Sequence, residues 1–434
     1  MKLLKTFTNF SLFLLATNFA WAQSKNSIDF DNQAEKSKLK IELKKMQTNE
    51  IESINKLKTK DERNFKTEYV HYTFNRFLDE INRNQFVMDT DFNQYLKRIK
   101  LNLTKNNPEL EKSLILIKNS NNNNAHSYGY NIFTLDLGNL RFAETEDEIA
   151  ATLAHEFAHQ LLRHSENKMT DTYNENKKLK KLLKNPKNFA SLTINDSTIL
   201  KELYKEYSIY RKNEFEADSL GFEIYLKSKY NPNAFVRSFE KMQFLEKEDE
   251  TILSDSIYKK LFDLEEQKFK DKWLKNSESD LYQGFEFRAS INIDSISTHP
   301  LTEERINRLK TIMKRHNIPE NEKYTPINTS YSDLVTNNLY KIFETNNEIG
   351  VGIYNLLHEI NLYPERETLR YGQISQFMKT ILDARKKYQF NQIVEKVTPD
   401  EQSKDYQKFL TFLWNLSNKE IETIANHYEK KASE

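Results

Sequence analysis

Apolar residues recur three or four positions apart along most of the chain, the spacing that places them on one face of an α-helix. From Thr67 to Leu103 this spacing predicts amphipathic helices with a break between about Asn82 and Asp91. A long helix is predicted from about Ser197 to Lys229, where a Tyr-Asn-Pro sequence ends it because proline favours a helix boundary. Further helices are predicted near residues 145–164, 233–248, 253–276, 301–316, 351–360, 376–381 and 409–416.

Two short segments have a β-prone pattern instead. Ser113–Ile117 is an apolar run, and Tyr130–Leu137 alternates apolar and polar residues as half-buried strands do. The asparagine run at 121–124 between them predicts a loop. Only 7 Gly and 8 Pro in 434 residues argue against a turn-rich β architecture. We therefore predict a mainly α fold of the α+β class, with a small β-sheet and a helical C-terminal region.

Composition narrows the classes of function. Lys and Arg total 65 against 64 Asp and Glu, so the net charge of +1 gives no reason to expect a nucleic-acid partner. The chain has no cysteine, which excludes disulfides, a thiolate-ligated zinc site and a thiol nucleophile. Hydrophobic residues make up 38% of the chain, enough to form a core.

The N-terminus has the three parts of a secretory signal peptide. Lys2 and Lys5 precede an apolar run from about Phe10 to Ala20, and Ala-Trp-Ala at 20–22 is a small-residue cleavage site. The run is shorter than the roughly 20 apolar residues that span a bilayer. A buried N-terminal helix is the alternative. We expect cleavage after residue 22 and export of a mature chain without a transmembrane segment, to the periplasm or, alternatively, into the medium.

The same patterns predict the domain organisation. After the signal peptide at 1–22, we expect a charged helical segment at 23–66, a main domain at 67–330 and a helical C-terminal region at 331–434. Residues 165–195 are rich in Lys and Asn and are interpreted as a mobile insertion. Their positive charge fits a solvated face or, alternatively, a peripheral contact with a membrane surface.

One predicted helix carries the sequence His-Glu-Phe-Ala-His at 155–159, and Thr145 with Glu148 forms a capping box at its start. Because each helical residue advances about 100°, His155 and His159 lie about 40° apart and one turn from each other. Both imidazoles can therefore bind one tetrahedral zinc ion. Glu156, beside the first ligand, is placed to act as a general base toward water. Polar helix residues without a metal are the alternative interpretation.

Such a site needs a third protein ligand. The extended metzincin pattern is absent, because Leu162 and Ser165 stand where Gly and His are required. His164 follows His155 by nine residues and is predicted to lie on the far side of the helix. It is therefore not a candidate ligand.

The best candidate belongs to a helical stripe formed by Arg211, Glu214 and Asp218, at spacings of three and four. Glu214 would be the third ligand, and Asp218 could accept the outer N–H of a zinc-binding histidine. Gly221 removes a side chain where the two helices would approach closely. Solvated acidic residues are the alternative for both carboxylates, and Glu216, which points away from the stripe, is interpreted as solvated.

A second His-Glu pair in the chain serves as an internal comparison. His358 and Glu359 also lie in a predicted helix, but Leu362 stands where the second histidine of a zinc motif would be. We interpret them as ordinary helix residues.

Together these segments resemble the HtpX-like and CAAX-prenyl-protease-like gluzincins, metallopeptidase family forty-eight. The resemblance covers about Thr67 to Lys314, and its landmarks occur in order. They are Asn124-Ala125, Gly129 and Ile132; residues 146–154 leading into the His-Glu-Phe-Ala-His sequence; Arg163-His164; Arg211, Glu214, Ala217, Asp218 and Gly221; Tyr230-Asn231-Pro232; and Ser297-Thr298-His299-Pro300 with Arg305.

The resemblance implies a gluzincin-type helical core around one zinc ion per chain, with a small sheet above the cleft. It implies Glu214 as the third ligand and supports Asp218 as its neighbour in the site. His299 would stabilise the oxyanion of the tetrahedral intermediate, the alternative being that it merely precedes a helix. Arg305 would orient a carboxylate near the site, and an exposed helix arginine is the alternative.

The resemblance also implies where a substrate binds. The strand around Gly129–Leu137 would form the edge of the cleft and pair with an extended peptide through backbone hydrogen bonds. Gly129, Asn131 and Ile132 are accordingly the candidate substrate-binding residues. His126 and Asn131 stand where the family often has apolar residues, which points to a different substrate preference.

We therefore predict an exported zinc endopeptidase, similar to the soluble exported branch of the family, that cleaves unfolded or misassembled exported proteins in protein quality control. The alternative is a chaperone-like protein in which the region 331–434 holds clients or another protein partner, and cleavage is rare or latent. The intact zinc motif, Glu214 and Asp218 argue against a pure scaffold.

Overall fold

The computed structural model describes residues 27–183, 196–248, 253–275, 300–320, 331–398 and 402–434. The predicted signal peptide, His299 and the segment 184–195 lie outside these residues. The chain forms two compact units. The first contains the described residues up to Glu246 and from 300 to Asn337, and the second contains those from Lys247 to 275 and from Asn338 onwards. The described residues between 247 and 275 thus belong to the second unit.

The fold is mainly α, as predicted, and no described helix is both long and apolar enough to cross a membrane. In chain order the helices are α1 (Gln33–Ile54), α2 (Lys60–Asn82), α3 (Thr90–Thr104), α4 (Leu137–Phe142), α5 (Glu146–Leu161), α6 (His164–Leu183), α7 (Asp196–Leu226), α8 (Pro232–Glu248), α9 (Asp255–Phe262), α10 (Thr302–Arg315), α11 (Tyr331–Asn337), α12 (Leu339–Thr345), α13 (Ile349–Leu362), α14 (Tyr371–Lys386), α15 (Lys404–Asn415) and α16 (Asn418–Ser433).

The small sheet of the first unit has three strands, β1 (Leu114–Lys118), β2 (Ala125–Ser127) and β3 (Ile132–Asp136). Their order is β1-β3-β2, with β1 parallel and β2 antiparallel to β3. The two predicted strands correspond to β1 and β3. Strand β2 was not predicted, because three residues are too few to display an alternating pattern.

The sheet and the N-terminal helices share one hydrophobic core. Phe74 and Phe77 of α2 pack there with Leu116 of β1 and Ile132 of β3. Leu43 of α1 is fully buried in the same cluster. The charged helical segment predicted at 23–66 is therefore more than a solvated helix: α1 lies on α2 and contributes to the core of the unit that contains the candidate site.

In the second unit, α14 and α16 pack along each other. The single helix predicted at 253–276 is interrupted: α9 ends at Phe262, and a short 3₁₀ helix follows at Asp271–Leu274. The break has a local cause, since the Asp263 carboxylate accepts a hydrogen bond from the backbone N–H of Phe269 at 2.9 Å. Aspartate that bonds nearby backbone in this way competes with helix.

Candidate metal centre

Helix α5 carries the His-Glu-Phe-Ala-His sequence. At its start the Thr145 hydroxyl accepts a hydrogen bond from the backbone N–H of Glu148 at 3.2 Å, as predicted, whereas the Glu148 carboxylate accepts one from Glu144 rather than from the N-cap. At its other end the helix stops at Leu161, because Arg163 adopts a left-handed conformation (φ 58°). A non-glycine residue there is uncommon and turns the chain sharply into α6.

The structure brings the three predicted ligands together. Donor atoms of His155, His159 and Glu214 all lie within 4.8 Å of one another. The two Nε2 atoms are 3.1 Å apart, and each faces a different oxygen of the glutamate, at 3.5 Å and 3.4 Å. Two imidazoles and one carboxylate are one of the ligand sets of catalytic zinc sites, which keep a fourth position for water or substrate.

The charges buried at this site favour a divalent cation. Glu156, Glu214 and Asp218 are buried carboxylates, and Arg305 is a buried guanidinium among them. With both histidines neutral, as metal binding requires, three negative charges and one positive charge leave a net charge of −2 on these four side chains. Since uncompensated buried charge costs several kcal/mol, a zinc ion suits the site in both donor type and charge.

Asp218 holds His155 from the side away from the ligand cluster. Its Oδ1 lies 3.0 Å from Nδ1 of His155, and Arg305 donates to both carboxylate oxygens, at 2.9 Å and 2.7 Å. The same guanidinium is 3.2 Å from Oε2 of Glu214 and lies 4.7 Å from the ring centre of Phe239. Arg305 is thus a buried member of the site, and the alternative of an exposed helix arginine is wrong.

These contacts shift the pKa values of His155 and Asp218. Burial alone would lower the pKa of His155, but hydrogen bonds with Asp218 and Glu214 raise it to about 10. Burial would raise the pKa of Asp218, yet Arg305 and His155 hold it below its usual value. The two carboxylates therefore attract positive charge to the His155 ring, whether a proton or a metal ion supplies it.

Gly221 allows α7 to approach α5, as the sequence predicted. A Cβ at this position would lie 2.9 Å from Cα of His155 and 3.1 Å from the carbonyl oxygen of Ala154. Both are backbone atoms, so the clash could be relieved only by moving one helix. The absent side chain therefore sets the distance between the helix that carries two ligands and the helix that carries the third.

The predicted substrate-binding residues lie at the turn between β2 and β3. Gly129 and Asn131 have positive φ angles (76° and 56°), and Ile132 begins β3. The prediction that this strand forms the edge of the cleft is wrong, because β3 is the central strand and bonds to a neighbour on both sides. Strands β1 and β2 are the two edges of the sheet, and β2 contacts α5.

Arg211 and His126 occupy positions that the sequence pattern did not predict. Arg211 lines an open groove of the first unit together with Phe215, Arg308 and His316. His126 lies on the edge strand β2, next to the site. Its side chain is exposed, yet desolvation by the surrounding protein lowers its pKa; Glu156 opposes this shift, and His159 reinforces it.

His164 contradicts the prediction that it lies on the far side of the helix. Because α5 has already ended, its Nδ1 is 2.9 Å from Nδ1 of His159. Its Nε2 is 3.4 Å from Oε2 of Glu216, a half-exposed side chain rather than a fully solvated one. His164 is still not one of the three clustered residues, because it contacts Nδ1 of His159 rather than the other donor atoms.

Comparison with protein families agrees with this geometry. The sequence profile of Peptidase family M48 matches residues 93–313, just over half of the 434-residue chain. The matched range contains α5, Glu214, Asp218 and Arg305. A search of curated proteins finds no match. The profile and its extent show that the chain belongs to Peptidase family M48, a family of metallopeptidases.

Proposed function

We propose that the protein is an exported zinc endopeptidase that holds one zinc ion per chain and cleaves unfolded or misassembled proteins outside the cytoplasm. The observation that supports the chemistry most is the convergence of His155, His159 and Glu214, of which His155 and Glu214 are buried, beside an excess of buried carboxylates. The signal-peptide pattern of the N-terminus supports export.

The roles of the protein groups follow from their positions. A bound zinc ion supplies a Lewis acid that polarises the scissile carbonyl and makes water a better nucleophile at neutral pH. Glu156 directly follows a ligand on the helix, so its carboxylate lies beside the ligand cluster. It accepts the proton of the attacking water and passes it to the leaving amine. For His299 we propose the oxyanion-stabilising role that family resemblance implies.

The edge strand β2 supports an extended substrate. The carbonyl of Asn124 and the N–H of Tyr128 bond to β3, so by antiparallel alternation the backbone groups of Ala125 and Ser127 face away from β3. The Ser127 carbonyl already accepts a hydrogen bond from Ser165 at 3.0 Å. Ala125 is therefore the position at which a substrate backbone would add to the sheet.

The test is to compare the purified mature chain with Glu156→Gln for zinc content and for cleavage of an unfolded protein such as casein, with and without a chelator. We expect one zinc per chain in both proteins, and a loss of cleavage of about 10²–10⁴-fold in the variant, the usual contribution of a general base. Glu303→Gln, an exposed position in α10, is the matched control. Undiminished cleavage by Glu156→Gln would contradict the mechanism.

A further inference from the structure

The two metal-site histidines are supported on their outer nitrogens in different ways. Nε2 of each ring faces the ligand cluster, so Nδ1 is the atom left for the surrounding protein. For His155 that atom meets the carboxylate of Asp218. For His159 it meets a ring nitrogen of His164 at 2.9 Å. The family resemblance gives His164 no role in the site, so the second contact is additional to it.

The bonding pattern of neutral imidazole fixes the direction of this contact. A histidine that ligates a metal through Nε2 carries its proton on Nδ1 and must donate it. His159 would therefore donate to Nδ1 of His164, which then carries its own proton on Nε2. Nε2 of His164 lies 3.4 Å from Oε2 of Glu216 without hydrogen-bond geometry, and the negative charge of that carboxylate favours the same tautomer.

The local fold holds His164 in this position. The left-handed turn at Arg163 ends α5 and starts α6 with His164, which is buried. The next residue, Ser165, donates its hydroxyl hydrogen to the carbonyl of Ser127 on the edge strand. One turn of helix α6 therefore contacts both a metal ligand and the strand that borders the site, and its position is fixed at two points.

We propose that His164 is a positioning residue for the metal site: it accepts the Nδ1 hydrogen of His159, fixes the tautomer and ring orientation of that ligand, and is itself oriented by Glu216. The inference rests on the proposed zinc function. Removing an outer hydrogen-bond partner of a metal-binding histidine typically weakens metal binding by about 10–100-fold. The effect should follow the acceptor atom and not the bulk of the side chain.

Two near-isosteric variants separate these explanations. His164→Asn retains an acceptor oxygen close to the position of Nδ1, and His164→Leu removes it. We expect His164→Leu to weaken zinc binding by about 10–100-fold and His164→Asn to recover most of the affinity. His316→Leu is the matched control. It breaks a His-carboxylate contact of 2.7 Å to Glu223, which lies on α7 as Glu216 does, and neither His316 nor Glu223 is part of the metal cluster.

Zinc affinity is measured by chelator competition at fixed pH, and the visible absorption of the Co²⁺-substituted protein reports ligand geometry directly. Zinc affinity of His164→Leu equal to that of His316→Leu would overturn the proposal, and so would equal weakening in His164→Leu and His164→Asn. If wild-type protein takes up no zinc, the proposed function itself fails, which is a different result.

A second pair keeps the test decisive if His164→Leu does not fold. Glu216→Leu removes the outer support of His164, and Glu223→Leu is its control on the same helix. We expect Glu216→Leu to lose less zinc affinity than His164→Leu and to show a changed Co²⁺ spectrum. Glu223→Leu should show neither change. Identical affinities and spectra for these two variants would also overturn the proposal.

Discussion

The dipeptide His-Glu occurs twice on buried helix faces, at 155–156 in the first unit and at 358–359 in the second, and the two glutamates are similarly buried (7% and 5% exposed). In the second unit each side chain has a complementary partner. His358 Nε2 lies 3.3 Å from Oδ2 of Asp405, and Arg370 donates to the Glu359 carboxylate from two nitrogens, at 2.9 Å and 2.7 Å.

The first unit arranges the same residue types differently. There, Glu214 and Asp218 share one guanidinium, that of Arg305, and two histidines face one carboxylate. Burial and the dipeptide itself do not separate the two regions. The two regions differ in charge balance. In the second unit each charged group is neutralised by its partner, whereas in the first unit an excess of carboxylates around two ring nitrogens provides a place for a cation.

The largest expected effect tests the second region as a balanced pair. Arg370→Met leaves the Glu359 carboxylate buried without its guanidinium, and we expect it to lower the free energy of unfolding by about 3–5 kcal/mol. Adding Glu359→Leu should restore most of this loss, because an apolar pair has no buried charge. Trp273 and Trp414 both belong to this unit, so tryptophan fluorescence in urea follows its unfolding in the mature chain. No recovery in the double variant would contradict the balanced-pair interpretation.

The next prediction compares the two histidines directly. His155→Asn and His358→Asn each remove Nε2, the atom that faces Glu214 in one case and Asp405 in the other. Structural zinc sites gain about 10–16 kcal/mol from four ligands, so losing one ligand should weaken zinc binding roughly 10²–10³-fold in His155→Asn. His358→Asn should bind zinc normally and lose about 1.5–3 kcal/mol of stability. Normal zinc binding by His155→Asn would remove the distinction between the two regions.

The smallest effect concerns acid stability in the second unit. Burial alone would raise the pKa of Glu420, but hydrogen bonds from Lys270 and from the backbone N–H of Ser417 lower it to about 2. A carboxylate with a depressed pKa contributes stability that is present above its unfolded pKa of about 4.5 and is lost as the pH falls toward 2. We expect Glu420→Gln to reduce this pH dependence.

Urea midpoints followed by circular dichroism at pH 6 and pH 3 measure the difference, with a chelator present so that metal binding does not contribute. A wild-type chain and a Glu420→Gln variant that lose equal stability between these two values would show that this carboxylate is not responsible.

Sequence periodicity predicted most helices because apolar spacing depends on residues that are close in the chain. It failed where a single backbone conformation decides the outcome. The left-handed turn at Arg163 brings His164 back to the metal ligands, and no residue type at that position signals it. Likewise, the Asp263 side chain interrupts a helix whose apolar spacing continues past the break.

The candidate ligands could be predicted, since helical spacing of three and four places Glu214 and Asp218 on one face. Their environment could not. Arg305 and Phe239 reach the site from two other helices, and whether they are buried depends on packing between elements distant in sequence. The edge strand β2 was missed for a related reason: its identity comes from pairing with β3, not from its own three residues.

The contact at Gly221 has a consequence for how substitutions alter this protein. The nearest atom that a new side chain would meet is Cα of a candidate metal ligand, so even a methyl group would change the distances among the three donor atoms without removing any of them. Because the spacing of the two helix backbones sets the distance from Glu214 to the two histidines, we expect a substitution at Gly221 to change metal binding even in a chain that still folds.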